Sequence, residues 1–230
     1  MIILYEISDK EANYVAKILG KVYNIPVQLQ KKDLSKWFKP LPKFNAYWDS
    51  SKIIAEKIRQ QFSNTAVMIL TNRDLYFGDH SADDEWIFGY CIKNIQVLST
   101  ARMKGNDYRP APKLMVYNDK YMKRFVTMAI HELGHDVVSV KLMKKAYWVN
   151  ASDNKKYPLG KHCTNNQCVM YEVVEVRTPP ASVGYLLIGK EKKYDAGLDE
   201  HILRIYNDWF CDDCKKSIVI RPEYLNVVKL

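Results

Sequence analysis

The chain has 230 residues, of which 47% are hydrophobic, and no run approaches the 18 or so apolar residues that a membrane span needs. This composition predicts a globular protein with one sizeable core, and because the first residues do not resemble a secretory signal, we expect a cytoplasmic location. The net charge is +9. Such a charge permits binding of nucleic acid or of an acidic surface, but the lysines are interleaved with acidic residues, a pattern more typical of a solvated surface, so the charge alone does not predict a nucleic-acid partner.

The amino-terminal region predicts a strand, a helix and a second strand. Residues 2–7 are nearly all apolar, as in a central strand. Ser8-Asp9-Lys10-Glu11 is a capping box, and the apolar spacing behind it predicts a helix that ends near Asn24. Residues 26–30 predict the next strand. A strand–helix–strand unit builds a parallel or mixed sheet, so we expect an α/β (α+β) fold.

The following region continues this alternation up to a third helix. The remaining elements predicted before that helix are a helix from Asp49 or Ser50 to Phe62, a buried strand over 65–70, and two strands over 86–92 and 95–99 joined at Lys93-Asn94.

The third helix carries the residues on which a functional prediction rests. Apolar residues at 122, 125, 126, 129, 130 and 133 predict a helix with one buried face. His131 and His135 are four residues apart, so both can bind one zinc ion. Glu132 can then act as general base toward a water at the open position of that ion. The alternative is a pair of solvated helix histidines.

Behind His135 the helical pattern predicts a longer helix that continues to Met143, followed by a polar loop over 150–158. The elements expected beyond the loop are a strand over 173–177, a helix over 197–210 and a last strand over 218–220.

Four of the five cysteines form two close pairs, Cys163 with Cys168 and Cys211 with Cys214. In a chain without a secretory signal, this spacing predicts a tetrahedral thiolate zinc site before it predicts disulfides. A redox Cys-x-x-Cys motif or unliganded thiols are the alternatives. Cys91 lies in an apolar segment and is expected to be a core residue.

These motifs together resemble the signature of the archaemetzincins. The string begins with His131-Glu132-Leu133-Gly134-His135, continues with Gly160, His162-Cys163 and Cys168-Val169-Met170, and ends with Cys211-Asp212-Asp213-Cys214. The family pattern is H-E-x-x-H-x-x-G-x-x-H-C-x₄-C-x-M followed by C-x-x-C. The resemblance touches most of residues 65–214.

The resemblance implies a zincin-like fold, a mixed sheet backed by helices with a small carboxy-terminal subdomain stabilised by zinc. We therefore expect subdomains at residues 1–135 and 136–230. The implied roles are a catalytic zinc held by His131, His135 and His162, a general base in Glu132, a second, structural zinc held by Cys163, Cys168, Cys211 and Cys214, and Met170 in a tight turn below the site. An extended peptide substrate would pair with an edge strand above the active-site helix.

The sequence departs from the family pattern between the second and third histidines. Val138 stands where the family has glycine, and His162 follows His135 after 27 residues, so roughly residues 137–158 are an insertion. A second insertion lies between 171 and 200. Other candidates for the third ligand are therefore Glu172, Glu175 and His201.

The sequence predicts a zinc metallopeptidase that hydrolyses peptide bonds. An alternative from another class is a zinc-stabilised basic module that binds nucleic acid or protein, with a degenerate helix site. A peptidase kept latent by its insertion is a third possibility. An intact Glu132 favours the peptidase, because a structural zinc has no use for a carboxylate beside its water.

Overall fold

The computed structural model describes residues 1–40, 47–49, 52–76, 86–104, 119–174, 176 and 178–226. In these ranges the backbone divides into two compact units. The first contains described residues from 1–104, 119–136 and 220–226, and the second contains 137–219.

The first unit is built on a five-stranded mixed sheet. Its strands are β1 (Ile2–Tyr5), β2 (Gln28–Lys31), β5 (Val67–Thr71), β8 (Gly89–Ile92) and β9 (Ile95–Ser99). The order across the sheet is β2-β1-β5-β9-β8, and all pairs are parallel except β8 with β9. The three central strands are completely buried, which explains their continuous apolar sequences. The predicted parallel or mixed sheet is confirmed.

The same unit has a smaller, four-stranded sheet. Its strands, in their order across the sheet, are β3 (Lys39–Pro40), β4 (Tyr47–Asp49), β6 (Asp74–Tyr76) and β7 (Trp86–Ile87). The single strand predicted over 86–92 is therefore wrong. The chain leaves the small sheet at Ile87 and joins the large sheet at Gly89, so β7 and β8 pair with different partners.

Three helices accompany these sheets: α1 (Asp9–Tyr23), α2 (Lys52–Gln61) and α3 (Asp119–Val137). The predicted capping box is present at Ser8, and α1 ends at Asn24, which adopts a left-handed conformation with φ 52°. The helix predicted from Asp49 or Ser50 to Phe62 is present as α2, from Lys52 to Gln61, but Asp49 belongs to β4 and Ser50 lies outside the described residues.

Helix α1 fixes α3 through two buried hydrogen bonds. The Tyr23 hydroxyl donates to the backbone oxygen of Ile130 at 2.6 Å, and the Tyr121 hydroxyl donates to Glu11 Oε1 at 2.6 Å. Buried groups of this kind are satisfied only in one relative position of the two helices. The position of α3 in the first unit is therefore strongly constrained.

The second unit contains a four-stranded antiparallel sheet with the order β11-β10-β12-β13. Its strands are β10 (Lys144–Asn150), β11 (Lys156–His162), β12 (Gly184–Ile188) and β13 (Glu191–Lys193). The core on one face contains Ala146, Leu186 and Ile188 packed with Tyr171 and Ala196. Strands β10, β12 and β13 thus lie entirely within the two stretches that the resemblance identifies as insertions, and β11 begins in the first of them.

The longer helix and loop expected between residues 136 and 158 are wrong. Helix α3 ends at Val137, and β10 begins at Lys144. The β-branched residues Val138 and Val140 lose side-chain freedom in a helix. Instead, Val138 forms an isolated bridge with Ile218, and Val219 donates a backbone hydrogen bond to Val137 at 2.8 Å.

Three further predictions in the second unit need correction. The helix expected over 197–210 is shorter: α4 spans Leu198–Arg204 and ends because Ile205 leaves the helical conformation, with ψ 138°. A separate short helix, α5 (Asp212–Lys216), follows it. The described residues of 173–177 and 218–220 form no strand. A last helix, α6 (Pro222–Leu225), belongs to the first unit.

The change of unit near the end of α3 falls between Asp136 and Val137, and residues 220–226 return to the first unit. The division into subdomains at 1–135 and 136–230 stays a prediction. None of the helices in the described ranges combines the length and the apolar character that crossing a bilayer requires.

Candidate metal and catalytic site

Helix α3 presents His131, Glu132 and His135 from its last two turns. His131 and Glu132 are buried, at 2% and 4% exposure. The Nε2 atoms of His131 and His135 are 3.0 Å apart, and the two rings meet edge to face. Two nitrogens that share a zinc ion at about 2.0–2.1 Å lie roughly 3.3 Å apart, so the pair has nearly the spacing that a shared ion requires.

The edge strand β8 packs against the side chain of Glu132 on this helix. Gly89, its first residue, has no side chain, and the space above it is bounded by Glu132, Leu98 and the backbone of Val97. A residue with a β-carbon would be forced into Glu132. Glu132 is thus held close to the strand that ends the large sheet.

The residue after His135 is tied to the sheet and to α6 by a network that the sequence did not reveal. Asp136 accepts hydrogen bonds from Arg221 and, at 2.5 Å, from the Tyr224 hydroxyl. Gln96 donates to the Tyr224 oxygen at 3.0 Å. Burial and the charge of Asp136 raise the pKa of Tyr224, so the phenol stays protonated and can donate. The network anchors the carboxy-terminal end of α3.

His162 lies at the end of β11 in the second unit and is 1% exposed. Its Nε2 is 2.5 Å from Oε2 of Glu172. The other oxygen of Glu172 accepts a hydrogen bond from the backbone N–H of Val173 at 2.9 Å. The carboxylate is thus fixed at both oxygens and in turn fixes the orientation of the imidazole.

The four paired cysteines meet in the second unit. Their sulfur atoms all lie within 4.8 Å of one another, and Cys163 Sγ is 3.8 Å from Cys211 Sγ. A disulfide requires about 2.05 Å, whereas sulfurs at 2.3 Å from a shared zinc ion at tetrahedral angles lie about 3.8 Å apart. None of these four cysteines forms a disulfide. The cluster therefore has the dimensions of a tetrahedral thiolate site.

Local backbone geometry holds the cysteine cluster together. The N–H of Asn165 donates a hydrogen bond to Cys163 Sγ at 3.4 Å, and the backbone N–H of Cys163 donates to the carbonyl of Met170 at 2.8 Å.

The thiols of the cluster also affect one another's pKa. Hydrogen bonds from the Cys168 and Cys214 thiols lower the pKa of Cys163. The same contacts raise the pKa of Cys168 and Cys214. Four thiolates can share this volume only when a cation offsets their charge.

The other sequence candidates have structural roles or lie outside the described residues. Met170 is completely buried in a turn. His201 is 1% exposed, packs against Tyr171 and has its Nδ1 3.2 Å from the backbone oxygen of Asn166. Glu175 lies outside the described residues. Cys91 is half-buried rather than part of the core, and burial raises the pKa of its thiol.

No protein-family model and no curated protein matches the sequence. An archaemetzincin from Archaeoglobus fulgidus superposes with a TM-score of 0.54 at 20% identity, and the match covers 95% of this chain and 100% of that one. The chain has the archaemetzincin fold.

A second solved structure with this fold is a zinc-dependent peptidase from Methanocorpusculum labreanum. It superposes with a TM-score of 0.50 at 17% identity, covering 94% of this chain and 99% of the other. The zincin-like fold class expected from the motif resemblance is confirmed. The described residues also include histidine and cysteine groups that could hold metal ions, as that resemblance implies.

Proposed function

We propose that the chain is a zinc-dependent metallopeptidase. The observation that carries the proposal is the arrangement of His131, Glu132 and His135 on one helix, with the imidazole Nε2 atoms 3.0 Å apart and Glu132 against an edge strand. A structural zinc site needs no buried carboxylate beside its histidines, whereas peptide hydrolysis needs a general base at that position. The likeness in fold to a zinc-dependent peptidase supports the same function.

Zinc bound by the histidines would polarise the substrate carbonyl and increase the acidity of water. Glu132 would accept the proton of the attacking water and donate it to the leaving amine. Because Glu132 is 4% exposed, this proton transfer would take place away from bulk water.

The third ligand in this proposal is His162, and Glu172 is its orienting partner. A histidine that ligates a metal usually donates its other ring N–H to a carboxylate, which fixes the tautomer and the ring plane. Glu172 lies 2.5 Å from Nε2 of His162, so Nδ1 is the nitrogen that we assign to the ion. The four cysteines would bind a second, structural zinc directly beside His162 in the sequence.

The substrate in this proposal is an extended peptide that pairs with β8. Among the described residues this strand ends the large sheet, and it runs antiparallel to β9, so its outer edge is where a substrate strand would be added. Main-chain hydrogen bonds would supply much of the affinity and would bring a peptide bond near Glu132, which packs against Gly89.

Zinc content tests the ligand assignment. Elemental analysis should give about two zinc ions per chain for the wild type and about one for His162→Ala. His201→Ala, which removes another buried histidine from the second unit, is the matched control and should retain both ions. One zinc ion in both the wild type and His162→Ala would refute the catalytic centre.

A peptide-library screen tests the activity itself. The wild type should cleave peptides, and Glu132→Gln, which keeps the size of the side chain, should retain both zinc ions and lose about 10²–10⁴-fold in rate. Equal cleavage by the wild type and Glu132→Gln would show that the activity comes from a contaminant or from another site, and the peptidase assignment would fail.

A further inference from the structure

The antiparallel sheet of the second unit concentrates most of the net charge of the protein. Residues 144–162 and 184–193, which form its four strands and two tight turns, contain eight lysines and two acidic residues. The whole chain has a net charge of +9. These 29 residues therefore carry six of the nine net positive charges, although the lysines are dispersed along the sequence.

Strand register places half of these lysines on one face of the sheet. The buried Ala146, Leu186 and Ile188 point to the core face. Side chains alternate between the two faces along each strand, and residues paired in register share a face. The neighbours of these three residues along β10 and β12, together with the residues that pair with those neighbours, therefore occupy the opposite face. We name this the basic face, and it contains Lys145, Lys156, Lys161, Lys192, Tyr147 and Tyr185.

The lysines of the basic face are exposed, and its aromatic rings are half-buried. Val149, paired with Tyr185 on one side and Lys156 on the other, gives the face a buried apolar centre. Lys192 Nζ lies 4.6 Å from the centre of the Tyr185 ring. Two rows across the sheet, Lys192-Leu187-Tyr147 and Tyr185-Val149-Lys156, thus each carry one lysine and one aromatic ring.

The described acidic residues of these strands and turns do not neutralise the basic face. Glu191 pairs with Ile188 in register, on the core side, and its carboxylate forms an ion pair with Lys193 at 2.7 Å. Asp153 lies in the hairpin turn and accepts the backbone N–H of Lys155. The lysines of the basic face have no carboxylate opposite them in register.

One pair on this face is unfavourable for folding. Lys145 and Lys161 lie directly opposite each other on adjacent antiparallel strands, and both are exposed. Like charges at such positions destabilise a sheet. A bound polyanion would remove this repulsion, whereas a surface that only keeps the protein soluble has no need of the pairing.

We propose that the basic face binds single-stranded nucleic acid. Single strands are held by lysines that follow the phosphates and by aromatic rings on which bases stack, and a sheet surface carrying both is a common way to present them. An acidic peptide would use the lysines and leave the rings without a role. This activity is separate from peptide hydrolysis and does not depend on it.

Fluorescence anisotropy with labelled 20-nucleotide oligo(dT) and oligo(U) tests the proposal on the full, zinc-loaded chain. The wild type should bind, and log K should fall with log salt by about 0.7 for each phosphate contacted. Lys145→Gln/Lys161→Gln should weaken binding at least about tenfold at low salt and reduce the slope by about 1.4. Lys17→Gln/Lys21→Gln, which removes the same charge from exposed positions of α1, is the control and should bind like the wild type.

The aromatic contribution distinguishes nucleic acid from other anions. Tyr147→Ala or Tyr185→Ala should weaken oligonucleotide binding about fivefold or more, since stacking contributes roughly 1–3 kcal/mol per base, but should leave retention of poly-glutamate unchanged. Three results would overturn the proposal: absence of oligonucleotide binding, equal losses in the α1 control, or binding of poly-glutamate as tight as that of the oligonucleotides. Circular dichroism of each variant would show that the fold is retained.

Discussion

Gly89 of the edge strand β8 and Glu132 of helix α3 are in direct contact. A β-carbon built at position 89 would lie 3.1 Å from Cγ of Glu132 and 2.7 Å from the backbone oxygen of Val97. The backbone oxygen of Val97 belongs to β9 in the five-stranded sheet and cannot move away. The absence of a side chain at position 89 therefore determines how closely the proposed general base approaches the strand proposed to bind substrate.

This contact predicts the effect of Gly89→Ala. The added methyl group must displace Glu132 or separate β8 from β9, and overpacking of this kind typically costs about 1–3 kcal/mol. We expect a lower unfolding temperature and peptide hydrolysis reduced at least about tenfold, with zinc content unchanged. Gly20→Ala in α1, where the nearest atom is 3.3 Å away, is the control for a simple gain of a methyl group. Full activity of Gly89→Ala would show that Glu132 is not fixed by this strand.

Glu172→Gln tests the orienting role proposed for the carboxylate next to His162. Loss of an outer carboxylate partner typically weakens metal binding about 10–100-fold. Competition with a chromogenic chelator should show this loss for one zinc ion while the other ion stays bound. Glu191→Gln, a change at an exposed ion pair, should have no effect. If Glu172→Gln binds both zinc ions as tightly as the wild type, Glu172 has no role at the ion.

Removal of the structural zinc that we propose for the cysteine cluster should destabilise the second unit. Cys168→Ser deletes one of four sulfurs that lie within 4.8 Å of one another, and structural zinc typically contributes several kcal/mol or more to folding. We expect this variant to contain one zinc ion less and to unfold about 10 °C or more below the wild type in calorimetry. Cys91→Ser should retain both ions, because Cys91 lies outside the cluster. An unchanged unfolding temperature in Cys168→Ser would rule out a structural metal.

The buried Glu11 predicts how stability depends on pH. Burial disfavours its charge, but hydrogen bonds from Tyr121 and Ser8 and the charge of Lys104 hold the pKa of Glu11 below its usual value. A carboxylate with a lowered pKa stabilises the fold above its unfolded pKa of about 4.3, and this contribution is lost as the pH falls through the folded pKa. Urea unfolding between pH 7 and pH 3 should show a steeper loss of stability for the wild type than for Glu11→Gln. Parallel curves would contradict this assignment.

The sequence by itself determined the parts of the protein that depend on local spacing. The capping box at Ser8 and the strands around it were predicted correctly because hydrogen bonds and apolar periodicity within a few residues specify them. The same reasoning applies to the motif on α3. A separation of four residues on a helix places His131 and His135 on one face and fixes the distance between them, with Glu132 beside them. The two cysteine pairs carried a similar signal in their short spacing.

Only the tertiary structure decided the features that depend on pairing between distant segments. Residues 137–143 have apolar positions compatible with a helix, but the bridge from Val138 to Ile218 ends the helix, and no sequence window contains both residues. The contact between Glu172 and His162 likewise depends on how the chain between these two residues turns back on itself. Dispersed lysines become one basic face because strand register brings Lys145 opposite Lys161. Register is set by long-range packing, and a one-residue shift would place these side chains on the other face.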